Sequence, residues 1–164
     1  MSEKPPIPAA VVILWRRCGG ALEVYLVERA AHLAFLGGFW AFPGGRVEEE
    51  DQRRPVAGAA GDYAARIAAA ARELAEETGV VVVLDAARFL AVGRIVTPAW
   101  APQRFDATYF LVEAPAGAAP DVSCSEGELA AGLWVRPDQV LVEWENGERI
   151  ISPVVIEALR ALVS

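Results

Sequence analysis

Arg72-Glu73-Leu74-Ala75-Glu76-Glu77-Thr78-Gly79-Val80 is the stretch on which the reading of this chain turns. It closes a longer run, Tyr63 to Thr78, that is rich in alanine. There Ile67, Ala70, Ala71 and Leu74 recur at helical spacing. The run predicts an amphipathic helix, with Asp62 placed to cap its start and Gly79 where a left-handed terminating residue belongs. On that helix Glu73, Glu76 and Glu77 stand three and four residues apart, so the three carboxylates share a face. Like charges at that spacing oppose helix formation by about 0.2–0.5 kcal/mol per pair. The cluster also sits near the helix C-terminus, where the macrodipole disfavours anions. Read alone, it is either a solvated acidic face or a cation site. A divalent cation would relieve both penalties, and carboxylate oxygens suit Mg²⁺ or Mn²⁺.

Outward from the helix, the pattern mixes strands and helices. Ala9 to Trp15 and Leu22 to Val27 read as two strands joined at Cys18-Gly19-Gly20, giving a hairpin. Glycine pairs at positions 37–38 and 44–45 punctuate a loop around Phe39 to Phe42. Arg46 to Gly61 is charged, then rich in Pro, Gly and Ala, and is expected to be an exposed insertion. Val80 to Leu84, Phe89 to Val96, Thr108 to Val112 and Leu133 to Val135 read as further strands. Pro137 to Trp144 and Pro153 to Val163 read as helices, each with proline in its first turn. Without strict alternation or repeats, this predicts one α/β domain spanning residues 1–164: a mixed sheet covered by helices. Residues 1–8 are expected to be flexible.

Composition narrows the function classes. The 164 residues carry 54% apolar side chains, enough for a core, and a net charge of -7. So acidic a chain is poorly suited to duplex nucleic acid. No stretch approaches the ~20 apolar residues of a membrane span, and Met1 to Pro8 lacks the regions of a signal peptide. A cytoplasmic protein is the expectation, with homodimer formation left open. Cys18 and Cys124 show no metal or redox spacing and read as two buried free thiols. The single histidine, His32, rules out a two-histidine metal site.

The helical stretch resembles the second half of the Nudix box: Arg-Glu, an aliphatic, any residue, Glu-Glu, any residue, Gly, an aliphatic. Phe42-Pro43-Gly44-Gly45 resembles the loop that opens that box. The resemblance implies an α/β/α sandwich and a hydrolase that cleaves a phosphoanhydride with Mg²⁺ or Mn²⁺. It implies that Glu73, Glu76 and Glu77 hold the metal, with the Gly44 carbonyl as a further ligand, and that Arg72 orients Glu73. In the family pattern a Glu follows the opening Gly after five residues, and the Arg lies fourteen positions beyond that Gly. Here the separation is 72 − 45 = 27, so 27 − 14 = 13 residues are extra. Glu48, Glu49, Glu50 and Asp51 crowd the place of the early Glu, and the sequence assigns none of them. Many members use one more Glu from a later loop, a role open to Glu126 or Glu128, with Glu128 carried forward.

Arg29 to Ala41 is also similar to the stretch that precedes the box in Nudix coenzyme A diphosphatases. The leading Arg29, the small residue after it and Gly38 fall at matching spacing. A Thr and a second Arg of that signature are replaced by Val27 and Ala34. The interrupted box, with Thr97-Pro98 and Arg104-Phe105-Asp106 downstream, resembles the branch containing the peroxisomal coenzyme A diphosphatases. The implied partner is a small nucleoside diphosphate derivative, with coenzyme A or acyl-coenzyme A in competition with ADP-ribose, nucleotide sugars and nucleoside triphosphates. Arg29, Arg104 and Trp100 are the candidate substrate contacts, the arginines for phosphate and Trp100 for stacking. A Nudix-fold nucleotide sensor without catalysis is the alternative class.

Overall fold

The computed structural model describes residues 4–164. Its strands are β1 (Ile7–Cys18), β2 (Ala21–Arg29), β3 (Trp40–Ala41), β4 (Gly44–Arg46), β5 (Leu90–Val96), β6 (Phe105–Glu113) and β7 (Leu129–Val135). The helices are α1 (Gly61–Thr78), α2 (Pro137–Glu145) and α3 (Pro153–Val163), and short 3₁₀ turns occupy Glu49–Arg53, Ala86–Arg88 and Val122–Ser125. The sheet is mixed. β1 runs parallel to β6 from Ile7–Phe105 to Trp15–Glu113, and every other named pairing is antiparallel. The strand order is β3-β2-β1-β6-β5, with β7 also paired to β2 and β4 to β1.

A fork in this sheet positions the candidate site. β1 and β2 pair only near their shared turn, from Trp15–Val24 to Cys18–Ala21. Beyond it they part, and the chain from Trp40 to Arg46 enters the fork. β3 pairs with β2 at Val27 and Glu28, while β4 pairs with β1 at Ala9 to Val11. Glycine is required here: a Cβ on Gly44 would stand 2.5 Å from the Ala10 carbonyl oxygen. The backbones approach too closely for a side chain.

Alternation along β1 divides the core in two. Ala10, Val12 and Leu14 face α1 and join Ile67, Ala68, Leu74, Phe89 and Phe110. Ile13, with Val24 and Leu26 of β2, faces Val140 of α2 and Val155, Ile156 and Leu159 of α3. The layers are helix, sheet, helix, as expected. α1 fits because its alanines, Ala68 to Ala70, are wholly buried and let it lie close to the sheet. Arg66 bolts it down: its guanidinium donates to the Asp106 carbonyl at 2.7 Å and to Thr108 Oγ1 at 3.1 Å, and pairs with Asp62. Gly79 ends α1 at φ 77°, donating its N–H to Ala75.

The structure departs from the sequence reading in four places. Val80 to Leu84 is extended but builds no strand; the one ladder contact at its end is an isolated bridge between Ala57 and Asp85. The β-branched run is a local signal for a strand, but pairing is decided by tertiary contacts that such a signal does not encode. Asp62 does not cap α1, which begins one residue earlier at Gly61 with Ala60 as cap; the Asp62 carboxylate is taken by Arg66 instead. Ile7 and Pro8, expected to be flexible, are strand residues paired with Phe105 and Asp106; residues 1–3 lie outside the described residues. Both cysteines are free, but exposed rather than buried.

Candidate active site

α1 aims its C-terminal half at the fork between β1 and β2. Glu77 is buried and accepts a hydrogen bond from the Gly44 N–H at 3.1 Å. Glu73 meets Gly45 so closely that a Cβ there would stand 2.4 Å from its carboxyl. The glycine pair thus makes room for two carboxylates. Glu76 is different: its side chain is more than half exposed and is tethered to Arg72 at 3.1 Å. The three glutamates share a helix face as expected, but only two of them point into the fork.

Arg72 is nearly buried and organises the group. Its guanidinium donates to Asp51 through Nε and Nη2, each at 3.0 Å, to the Arg46 carbonyl at 3.0 Å and to Glu73 at 3.0 Å. Burial alone would lower its pKa. The hydrogen bonds it donates to Asp51 and the charges of Glu73 and Asp51 outweigh that and raise it, so the group is a fixed cation. Such bidentate arginine–carboxylate pairs hold geometry as well as charge.

Asp51 is the residue that sequence reasoning missed. The segment Arg46 to Gly61 is not wholly an exposed excursion: Asp51 is 0% exposed, and Val56 joins the core. The 3₁₀ turn Glu49–Arg53 holds Asp51 in place, helped by the Glu48 N–H donating to its carboxylate at 2.8 Å. A signal was available, since five residues separate Asp51 from Gly45, the spacing of the early Glu in the family box. The shorter acid hid it. The 13 extra residues therefore fall between Asp51 and Arg72, in the loop before α1 and in the first turns of α1 itself.

Glu128 comes from the loop before β7, and its charge acts on both Glu73 and Glu77. Burial raises Glu73 to about 7 against the pull of Arg72, with Glu76 and Glu128 adding to the rise. Burial likewise raises Glu77 to about 8, with Glu73 and Glu128 repelling it and the Gly44 hydrogen bond and Arg29 opposing. Glu126 has no such part; it caps the preceding turn in a left-handed conformation at φ 55°. Glu73, Glu77 and Glu128 are hard oxygen donors with more negative charge than Arg72 and Arg29 offset. That chemistry fits a divalent cation of the Mg²⁺ or Mn²⁺ type. Among the described residues, no three such side chains already converge to enclose an ion, so the fit rests on the donor set and its excess charge.

The candidate substrate residues are divided. Arg29 lies beside the carboxylates, close enough for its charge to favour ionised Glu77. Its Nε donates to the Phe35 carbonyl at 3.0 Å. Trp100 is 83% exposed on the loop between β5 and β6. Arg104 donates to two backbone carbonyls, Thr97 at 3.2 Å and Lys4 at 2.7 Å. The two loops meet where Phe35 packs on Phe105, with ring centroids 5.7 Å apart. His32 is exposed in the first of them.

A fork with a glycine pair, a locked arginine and converging glutamates defines a class of protein, and comparison with known proteins gives the same class. The NUDIX domain model matches residues 5–154. The chain belongs to the NUDIX family and is an enzyme of the pyrophosphohydrolase class. Among solved structures, it is 27% identical to a NUDIX hydrolase from Alicyclobacillus acidocaldarius, covering 99% of this chain and 93% of that one at a TM-score of 0.86. The NUDIX domain of Shewanella oneidensis NrtR, solved with ADP ribose, is 17% identical over 98% and 90% of the chains, at 0.67. A Caenorhabditis elegans (C. elegans) Ap4A hydrolase is 16% identical over 96% and 95%, at 0.64. The last two likenesses are of fold. No curated protein sequence matches this chain.

Proposed function

We propose that this enzyme hydrolyses the phosphoanhydride of a nucleoside diphosphate joined to a second group, with Mg²⁺ or Mn²⁺ as cofactor. The observation that carries the reading is the placing of Glu77 on the Gly44 N–H and of Glu73 against Gly45 at the fork, while Arg72 fixes Glu73 from behind. Glu73 and Glu77 would hold the cation, with the Gly44 carbonyl as a further ligand; Glu76, tethered to Arg72 outside the fork, would join them only by swinging inward. When bound, the cation supplies charge neutralisation of the diphosphate and a lowered pKa for water. The chain's own groups do the rest. Arg29 draws a phosphate toward the carboxylates. Glu128 accepts a proton from the attacking water as the new oxygen–phosphorus bond forms. The bridging oxygen–phosphorus bond breaks, and the leaving phosphate keeps the electron pair. Arg72 positions Glu73 without touching substrate.

Coenzyme A or acyl-coenzyme A is the proposed substrate, supported by Arg29 and Gly38 at their places in the loop before the box. ADP-ribose is the second reading, supported by the similar NUDIX domain solved with that ligand. Trp100 and Arg104 belong to the proposal as contacts at the mouth of the site. No nucleic-acid or membrane partner is part of it, and no helix among the described residues is long and apolar enough to cross a membrane. Cytoplasmic location and a homodimer are further expectations, the latter tested by sedimentation at rising concentration.

A panel of coenzyme A, ADP-ribose, nucleotide sugars and nucleoside triphosphates, with Mg²⁺ or with EDTA, tests the reading. Cation-dependent release of 3′,5′-ADP and a phosphopantetheine from coenzyme A is expected. Inert coenzyme A beside rapid ADP-ribose turnover would reject the finer proposal and keep the general one. Nucleotide binding without turnover of any substrate would favour the sensor.

A further inference from the structure

Phe35 is a large apolar ring left 44% exposed at the end of a loop that is otherwise tightly built. The loop is closed at its base, where the Arg29 N–H donates to Phe39 at 2.9 Å and the Gly38 N–H to Arg29 at 2.8 Å. Inside it, Gly37 is packed so closely that a Cβ would meet the Leu33 carbonyl oxygen at 2.5 Å and that of Ala31 at 2.8 Å. Leu36, next to Phe35, adopts φ 51°, which a leucine takes up only where its surroundings hold it there. This backbone presents the Phe35 ring in one place.

Two contacts brace the ring. The Arg29 guanidinium carbon lies 5.9 Å from the ring centroid. Phe105, the first residue of β6, packs against it at 5.7 Å and 53°. The base of the loop is bonded to the catalytic side of the fork, because the Ala30 N–H donates to the Glu128 carbonyl at 2.9 Å. The ring thus touches the guanidinium, and the charge of that guanidinium reaches Glu77, which links ring, cation and carboxylate in that order. A nucleoside diphosphate has the same order: a flat base, then phosphates, then the bond to be cut.

We infer that Phe35 is the surface on which the substrate's nucleobase stacks, with Arg29 taking the adjacent phosphate. The inference rests on the reading of this site as a nucleoside diphosphate hydrolase, and it names the residue that selects the nucleoside end. Every nucleobase offers a π face, so a stacking ring with no hydrogen-bonding group discriminates little among bases but strongly against substrates with none. Trp100, the stacking residue expected from sequence, is the competitor.

Steady-state kinetics on ADP-ribose, coenzyme A and an abasic analogue of ADP-ribose test this, using Phe35→Ala, Phe35→Trp and Trp100→Ala. Phe35→Ala should raise KM for the two nucleotides by about 5- to 100-fold, the scale of one lost stacking contact. Its kcat should stay within about threefold, KM for the abasic analogue should not move, and Phe35→Trp should restore the nucleotide KM. Equal KM changes for nucleotide and abasic substrates would overturn the inference, as would a KM effect found only in Trp100→Ala. If the parent enzyme cleaves none of them, the functional reading fails. Calorimetric binding of ADP-ribose then decides the stacking role separately: weakened binding by Phe35→Ala alone supports it, and unchanged or absent binding overturns it.

Discussion

Replacing Asp51 by asparagine should damage both the fold and the site. The carboxylate is wholly buried and holds two nitrogens of Arg72 at 3.0 Å each. Removing one partner of a buried ion pair costs about 3–5 kcal/mol when the other charge is left stranded. Arg72 would not be stranded, since Arg46, Glu73 and Glu76 still accept from it. The expected loss is therefore at or below the low end, about 2–3 kcal/mol. For a chain of 164 residues, that lowers Tm by about 4–12 °C. A guanidinium freed on one side also holds Glu73 less rigidly, so catalysis or cation affinity should fall about 10- to 100-fold, as for other groups that orient ligands from behind. Thermal melting with a Mg²⁺ titration of kcat reads both effects. Asp51→Glu keeps the charge and should recover part of each. An asparagine variant melting within about 2 °C of the parent and turning over within twofold would show that Asp51 does not organise the site.

Three further outcomes follow. Gly45→Ala should leave the melting curve nearly unchanged, because its new methyl meets only the flexible end of Glu73; the displaced carboxylate should lower cation affinity by about 10- to 100-fold, measured by calorimetry. Glu77→Gln should lower turnover by roughly 10²–10⁴ at saturating Mg²⁺, and without the cation it should melt no lower than the parent, since burial already disfavours the charged form there. At the acid end, hydrogen bonds from Arg94 hold Asp106 down to about 2 against burial, with Arg66 assisting. A depressed carboxylate stabilises the fold above its unfolded pKa and loses that contribution as pH falls from about 4 to 2. The exposure of Arg94 keeps the effect small, and urea melts of Arg94→Ala should show a flatter loss over that range.

The sequence was most readable where one physical requirement dominated. α1 declared itself through its alanines, its apolar stripe and Gly79, and the box glutamates through a spacing that only a helix makes meaningful. The strands were legible as extended runs, but their partners were not. β6 was expected from Thr108 to Val112 and extends from Phe105 to Glu113 because β1 pairs with it over that length. Val80 to Leu84 carries the same local signal and found no edge. β3 and β4 are too short to show a period; tertiary pairing in the fork creates them. The site had the same limit. Positions 73 and 77 were placed by helix geometry, whereas the choice of Glu128 over Glu126, and the buried role of Asp51, depended on loops folding back across the sheet. Trp40, just before the box, is buried in the core.

The central claim is that carboxylates gathered at the fork make a cation-dependent phosphoanhydride hydrolase. Turnover of ADP-ribose and coenzyme A in ¹⁸O-labelled water, with Mg²⁺ or with EDTA, tests it most directly by product mass. The account predicts that one labelled oxygen enters one phosphate product, that EDTA abolishes the reaction, and that Glu77→Gln slows it by at least about 100-fold. Equal rates in EDTA, or full activity in Glu77→Gln, would contradict it.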